Sequence, residues 1–182
     1  NSNEEILLGL YKIYGLEGML SKLDGAFAIC IADLQENKLY LCRDRIGEKP
    51  LYIYQGEDCV MFASEYKAFY AHPKFKPELE ETVVDEYFLF RYVAGERTFL
   101  KRVQNLAPGS YWEFNGDKIT KQTYWRLPDK ISNKKSFDEN KNTVKELINK
   151  SVSRRIRSNT TIGLQLSGGV DSSVAAHLLK EQ

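Results

Sequence analysis

The sequence predicts two adjoining folds, an antiparallel layered α+β domain and, after it, the beginning of a parallel α/β domain. Three observations support this division. Apolar and polar residues alternate in short segments between Ala26 and Ser64, which is typical of half-buried strands. The dipeptide Asn115-Gly116 separates two further alternating segments and indicates a hairpin. Residues 138–182 have the order helix, strand, glycine loop, helix, with which parallel α/β folds are built.

The first domain, residues 1–127, begins with a predicted amphipathic helix. In "EEILLGLYKIYG" the apolar residues recur at helical spacing and Gly15 ends the pattern. Short strands are predicted in "FAICIADL", "KLYLCRD", "PLYIY" and "VMFAS", joined as antiparallel hairpins by "QENK" and "QGED". The segments "ASEYKAFYA" and "TVVDEYFLFR" return to helical spacing. A last hairpin joins "GSYWEF" to "KITKQTYW", because Asn-Gly readily adopts the positive dihedral angles of a two-residue turn.

A polar segment without periodicity, "PDKISNKKSF" at residues 128–137, is predicted to be a linker. The second domain, residues 138–182, then starts with a helix that carries Val144, Leu147 and Ile148 on one face. The predicted strand "TIGLQL" and a Ser-Gly-Gly loop precede another helical pattern. Because the chain starts without Met and stops partway through this pattern, we expect a fragment of a longer protein.

Composition excludes some classes of partner. The 26 Lys and Arg residues nearly balance 25 Asp and Glu residues, so no strong overall field attracts nucleic acid or an anionic membrane. We expect neither partner, because the sequence also lacks the roughly 18 consecutive apolar residues of a membrane helix and a secretory segment. The three cysteines lack C-x-x-C spacing and are expected to be buried thiols. These features predict a soluble, cytoplasmic protein.

The strongest candidate site is the loop between the last predicted strand and helix. Its glycines free the backbone, and N–H groups beside a helix N-terminus bind anions. The spacing differs from the G-x-x-x-x-G-K-S/T phosphate loop and lacks its lysine. Instead, S-G-G-x-D-S is the signature of the PP-loop of enzymes that split ATP between the α- and β-phosphates. The candidate residues are Ser167, Gly168, Gly169, Asp171, Ser172 and Ser173.

Within this loop, Asp171 is a candidate Mg²⁺ ligand. A carboxylate beside a phosphate would repel it, whereas a metal ion can bridge the two. The serine hydroxyls and the helix dipole can meet the charge that develops on departing pyrophosphate. The alternative is that Asp171 or Ser172 only caps the helix and that the glycines only form a turn.

The chain as a whole resembles glutamine-dependent asparagine synthetase. The blocks that carry this resemblance occur in family order: "LDGAFAICIADL", "RDRIGEKPLY", "FASEYKA", "FRYVAGERTF", "LAPGSYWEF", "YWRLP" and "LQLSGGVDSS". The resemblance implies an N-terminal-nucleophile glutaminase with four αββα layers, incomplete at its start, joined to a PP-loop synthetase domain. It implies ATP and Mg²⁺ as cofactors, with Leu166 against the nucleotide, and glutamine, ATP and aspartate or another acid as substrates. The resemblance is also compatible with a homodimer of the full-length protein.

Two positions depart from the family pattern. The family's nucleophile is a cysteine at the mature N-terminus, whereas this chain begins with Asn1; we expect the chain by itself not to hydrolyse glutamine. Asn3 stands where the family has the aspartate that binds the α-ammonium group of glutamine. Glu4 or Glu5 could take that role in another register, and Asn3 could instead cap the following helix.

The block "RDRIGEKPLY" allows two interpretations. Arg43, Asp44, Gly47 and Pro50 match a glutaminase block of the family. From the residues alone they are a charged strand end followed by a Gly/Pro turn. This pattern favours a structural role over direct participation in the glutamine site.

Three other functions compete with asparagine synthesis. A related amidotransferase could use a different acceptor, such as a sugar or another biosynthetic intermediate. A PP-loop enzyme of transfer RNA modification would carry a basic stripe, for which "SRRIRSN" is the nearest candidate. An inactive homologue is the third, favoured by Asn1 and Asn3.

Overall fold

The computed structural model describes residues 2–129, 134–156 and 161–181. The chain divides into two compact units, Asn1–Leu127 and Pro128–Gln182. Within the described ranges, no helix has the length and apolar character needed to cross a membrane. The predicted limits of the linker and of the two domains stay predictions.

The first helix, α1, extends from Asn3 to Lys22 and is interrupted at Gly15, where the backbone has φ 68° and ψ −178°. The predicted stop at Gly15 is therefore confirmed as a break in the helical geometry. A second helical segment follows this break, which the sequence pattern did not predict. It carries Met19 and Leu20, which are fully buried and attach the helix to the sheet below.

The described residues form seven strands in two antiparallel sheets. The strands are β1 (Ala28–Asp33), β2 (Lys38–Arg43), β3 (Tyr52–Gln55), β4 (Val60–Ala63), β5 (Val103–Asn105), β6 (Ser110–Asn115) and β7 (Lys118–Thr123). One sheet has the order β1-β2-β6-β7 and the other has the order β4-β3-β5. The predicted hairpins are confirmed, because β1 pairs with β2, β3 with β4, and β6 with β7, all antiparallel.

Among the described residues of the first unit, three apolar clusters connect the layers. On the outer face of the larger sheet, Tyr40 and Tyr111 pack against Met19 and Leu20 of α1. Between the sheets lie Leu41, Leu51, Ile53, Leu106 and Trp112. On the far face of the smaller sheet, Tyr54 packs with Phe69, Phe75 and Val103. The layered α+β fold expected from the sequence is thereby confirmed.

The predicted helical segments in the middle of the chain differ in type. "ASEYKAFYA" forms a 3-10 helix, Tyr66–Ala71, which supplies the outer layer over the smaller sheet. "TVVDEYFLFR" forms a 3-10 turn, Glu81–Val83, followed by helix α2, Val84–Phe90. Helix α2 ends at Arg91 in the left-handed conformation.

The hairpin at residues 115–118 is formed as predicted, but the turn residues differ. Asn115 pairs with Lys118, so the two central residues of the turn are Gly116 and Asp117. Gly116 has φ 55°, whereas neither Asn115 nor Asp117 has a positive φ. A positive φ at the first central residue alone is the geometry that glycine favours there. The prediction that Asn-Gly would be the turn pair is wrong by one residue.

The described part of the second unit contains two helices, α3 (Phe137–Arg155) and α4 (Val170–Lys180). The predicted strand at residues 161–166 is not formed. A strand is held by hydrogen bonds to a neighbouring strand, and no such neighbour occurs among the described residues of this unit. The segment enters the Ser-Gly-Gly loop as irregular backbone.

The expectation of buried thiols holds for only one cysteine. Cys42 is fully buried, and burial raises the pKa of its thiol to about 12. Cys30 is exposed and Cys59 is partly exposed; all three are free thiols.

Candidate functional site

The loop before α4 is organised by its own serines. Gly168 has φ 81°, a conformation that glycine adopts without strain. The hydroxyl groups of Ser167 and Ser172 lie 3.0 Å apart. The hydroxyls of Ser172 and Ser173 donate to the carbonyl of Gly169 at 3.1 Å and 2.8 Å. The structure therefore brings the predicted serines and glycines together in one turn.

Gly169, and neither Asp171 nor Ser172, is the N-cap of α4, and it makes no side-chain capping bond. The alternative that Asp171 or Ser172 serves as this cap is wrong. Asp171 is the second residue of the helix and is exposed. The first N–H groups of a helix have no partner within it, so the start of α4 presents unpaired donors beside the serine cluster. This arrangement suits an oxyanion.

The Asp171 carboxylate is the only acidic group in the first turn of α4. Among the described residues, no group of three or more His, Cys, Asp or Glu side chains could hold a metal ion. A metal bound at Asp171 would therefore take its other ligands from phosphate oxygens and water, as Mg²⁺ in nucleotide sites does. Leu166, just before the loop, is 61% exposed.

Asn3 lies in the first unit as the first residue of α1. The cap of this helix is Ser2, whose hydroxyl accepts from the N–H of Glu5 at 3.3 Å. The Glu5 carboxylate accepts in return from the N–H of Ser2 at 3.2 Å, which completes a capping box. The alternative that Asn3 caps the helix is thus wrong. The S-x-x-E spacing of Ser2 and Glu5 was the local signal that could have shown this.

Of the two acidic neighbours of Asn3, only Glu4 lies outside the capping box. Hydrogen bonds from its own backbone N–H and from the Ser2 hydroxyl lower the pKa of Glu4. Asn3 is exposed, and among the described residues its side chain makes no hydrogen bond. The amide of Asn3 is therefore available to a ligand at the start of α1.

The block around Arg43 has the structural role that the residues favoured. Arg43 is only 7% exposed. Its guanidinium donates to the carbonyls of Lys49, Leu106 and Gly47 at 2.7, 2.6 and 2.8 Å, and to the Asn105 side chain at 2.9 Å. Burial lowers the pKa of Arg43. These contacts tie the loop after β2 to the segment before β6.

Asp44 supports the same loop from inside. Its Oδ1 accepts from the N–H groups of Ile46 and Glu48 at 3.2 and 2.9 Å. Its Oδ2 accepts from those of Phe27 and Lys49 at 3.2 and 3.0 Å. Burial opposes the charge, but these hydrogen bonds outweigh it and hold the pKa of Asp44 below its usual range.

Comparison with known proteins identifies the class. The family model described as "Glutamine amidotransferase domain" matches residues 1–125, more than half of the chain. The model described as "Asparagine synthase" matches residues 143–182. The chain therefore belongs to the glutamine amidotransferase domain family, and its second unit is similar to the beginning of an asparagine synthase domain.

Individual relatives agree with this assignment. Glutamine-hydrolysing asparagine synthetase 2 of Bacillus subtilis is 32% identical over all of this chain and 26% of its own length. Synthetase 1 of that organism is 34% identical over all of this chain and 28% of its own length. "Amidase chry2" of Gibberella zeae is 32% identical over all of this chain and 27% of its length. The chain thus spans little more than a quarter of these relatives.

Among solved structures, a glutamine phosphoribosylpyrophosphate amidotransferase of Bacillus subtilis is similar to this chain. The TM-score is 0.47 at 23% identity, over 70% of this chain and 23% of that one.

Proposed function

We propose that the protein to which this chain belongs is a glutamine-hydrolysing, ATP-dependent asparagine synthetase, a carbon–nitrogen ligase. Glutamine hydrolysis supplies ammonia. Aspartate and ATP form β-aspartyl-AMP and pyrophosphate, and ammonia then displaces AMP to give asparagine. The observation that carries this proposal is the serine-glycine loop before α4, because it follows an amidotransferase domain and lies within the residues that match asparagine synthase.

In this proposal the second unit binds the phosphates of ATP. Ser167, Ser172 and Ser173 are clustered through the carbonyl of Gly169 and through one hydroxyl–hydroxyl contact. Hydroxyl groups that now bond within the loop can turn toward phosphate oxygens, and the free N–H groups at the start of α4 add further donors. Gly168 and Gly169 allow the backbone to approach the phosphates, and Leu166 lies against the nucleotide.

Mg²⁺ is proposed at Asp171. The fit is supported by an exposed carboxylate in the first turn of the helix that would receive the phosphates. One carboxylate with phosphate oxygens and water is a ligand set that Mg²⁺ accepts. The ion would offset the charge of the departing pyrophosphate, while the loop holds the phosphates in place.

At the other site, Asn3 is proposed to accept a hydrogen bond from the α-ammonium group of glutamine. Its exposed side chain, together with capping by Ser2, supports this role. An amide oxygen lacks the negative charge of a carboxylate. Binding should consequently be weaker than with aspartate, by about 1–2 kcal/mol for a lost charge-assisted bond.

The test is the exchange of labelled pyrophosphate into ATP by the complete gene product in the presence of aspartate. Asp171→Asn removes the charge and retains the size of the side chain. Exchange should fall by on the order of a hundredfold or more, since losing a preorganised group that offsets developing charge costs about 3 kcal/mol. Glutamine hydrolysis, which needs no ATP, should stay within about threefold of the parent.

Asp138→Asn is the matched control. Asp138 is also an acidic residue in the first turn of a helix, α3, so the control makes the same change of charge at the start of another helix. It should exchange pyrophosphate at the parental rate. Parental exchange in Asp171→Asn would contradict the metal-binding role, and no exchange by the parent would contradict the synthetase assignment.

A second acceptor is favoured by one comparison. The chain is 32% identical to "Amidase chry2" and also 32% identical to asparagine synthetase 2 of Bacillus subtilis. The amidotransferase fold therefore does not by itself select aspartate. Exchange that depends on another carboxylic acid and not on aspartate would support this second function.

A further inference from the structure

A basic pocket lies within the first unit, between the loop after β2, the segment before β6 and the segment after β7. Its volume is about 470 Å³, within the range of small-molecule sites. The residues that line it are Arg45, Ile46, Ala107, Pro108, Ser110, Thr123, Trp125, Arg126 and Leu127. None of the roles proposed above uses this pocket.

The walls of the pocket are tied to one another through Gly109. Its N–H donates to the carbonyl of Asp44 at 2.8 Å, and its carbonyl accepts from the N–H groups of Tyr124 and Trp125 at 2.9 and 3.1 Å. Gly109 has φ 62°, and a Cβ there would lie 2.5 Å from the carbonyl oxygen of Trp125. The three wall segments are therefore held in fixed positions, and the pocket is a preformed feature.

The charge of the lining is positive. Arg45 and Arg126 both line the pocket, and none of the described lining residues is acidic. Neither arginine makes an ion pair in the described part of the chain. The Nη2 group of Arg45 donates to the carbonyl of Ser21 at 3.1 Å, and this neutral acceptor does not balance the charge.

An anionic group that enters the pocket would supply the countercharge that the two arginines lack among the described residues.

Around these groups the lining is apolar. Trp125 presents an indole, and Ile46 and Leu127 are 63% and 72% exposed. Inorganic anions gain nothing from such surfaces, whereas a carbon skeleton does. We propose that this pocket binds a small organic carboxylate, with the carboxylate at Arg45 and Arg126 and its carbon body against Trp125. The site lies outside the proposed ATP and glutamine sites and does not depend on them.

The experiment uses the two tryptophans of the chain as reporters. In ¹⁵N-labelled protein each gives one indole N–H signal, and Trp125→Phe assigns them. Benzoate is the probe and benzamide is its neutral counterpart of the same shape. Benzoate should shift the Trp125 signal saturably, and benzamide should bind at least about tenfold more weakly because it lacks the charge. The signal of Trp112, which is 2% exposed, should not move and reports an intact core.

Arg45→Gln and Arg126→Gln should each weaken benzoate binding at least about fivefold. Arg102→Gln is the matched control, since Arg102 lies outside this pocket and pairs with Glu57 at the surface; it should bind benzoate as the parent does. Inorganic phosphate should bind more weakly than benzoate.

Equal affinity for benzoate and benzamide would overturn the proposal. So would equal weakening in Arg102→Gln and the pocket variants, or tighter binding of phosphate than of benzoate. If Arg45→Gln alters the Trp112 signal, the exposed Arg126 provides the test without disturbing the fold.

Discussion

Replacement of Asp44 by asparagine tests how the loop after β2 is supported. Asp44 is 1% exposed, and each of its two carboxylate oxygens accepts hydrogen bonds from two backbone N–H groups. Asparagine keeps one oxygen and replaces the other with an NH₂ group, which cannot accept. In either orientation of the amide, two partly buried backbone donors face another donor and lose their partner.

The expected loss of stability follows from these two donors. A buried hydrogen-bonding group left without a partner costs about 1–3 kcal/mol, so the free energy of unfolding should fall by about 2–6 kcal/mol. This is a large part of the 5–15 kcal/mol typical of a domain. Urea unfolding followed by circular dichroism measures it as a lower midpoint at an unchanged slope.

Asp117→Asn provides the control, because Asp117 is exposed at the turn between β6 and β7. It makes the same change in charge and should alter the free energy of unfolding by less than about 0.5 kcal/mol. A loss in Asp44→Asn no larger than in this control would refute the reasoning.

The same carboxylate predicts a dependence on pH. Because the folded-state pKa of Asp44 is lowered, its charged form stabilises the fold above the ordinary aspartate pKa of about 4. That contribution is lost as the pH falls through the lower, folded-state pKa. The difference in stability between the parent and Asp44→Asn should therefore narrow below about pH 4. A difference that stays constant from pH 7 to pH 3 would show that the charge contributes nothing.

Two further predictions concern the turn before β6 and the glutamine site. Gly109→Ala should lower the free energy of unfolding by more than about 2 kcal/mol, because a Cβ would lie 2.5 Å from the Trp125 carbonyl at a φ of 62°; Gly95→Ala, with a φ of 73° but open space around it, isolates the conformational part, and an equal loss in both would rule out the clash. Asn3→Asp in the complete gene product should lower the Michaelis constant for glutamine about tenfold by restoring the charge, with synthesis from free ammonia unchanged; an unchanged constant would mean that another residue binds the α-ammonium group.

The structural features that can be predicted from the sequence are those set by residues close to one another in the chain. Alternation of apolar and polar residues located β1, β2 and β4 to within one residue at each end, because side chains alternate between the two faces of a strand. The break at Gly15 also followed from local chemistry. The capping box of Ser2 and Glu5 is equally local, and its S-x-x-E spacing is visible in the sequence.

Features that depend on distant partners could not be predicted in this way. Residues 161–166 have a strand-like composition, yet an isolated segment gains no strand hydrogen bonds without a neighbour. The role of Arg43 was open because Asn105 and Leu106, which accept its hydrogen bonds, lie more than sixty residues further along the chain. The pocket at Arg45 likewise depends on segments that are more than sixty residues apart in the chain.

By itself, the sequence determined the antiparallel strand pattern of the first unit and the order of serines, glycines and aspartate in the loop before α4. Both depend on interactions between residues a few positions apart, which a linear pattern records. Only the tertiary structure decided that Arg43 and Asp44 are buried supports of a loop, and that Arg45, Trp125 and Arg126 surround one cavity. Burial and charge pairing arise when segments far apart in the chain meet, and a residue's type does not specify which segments will meet it.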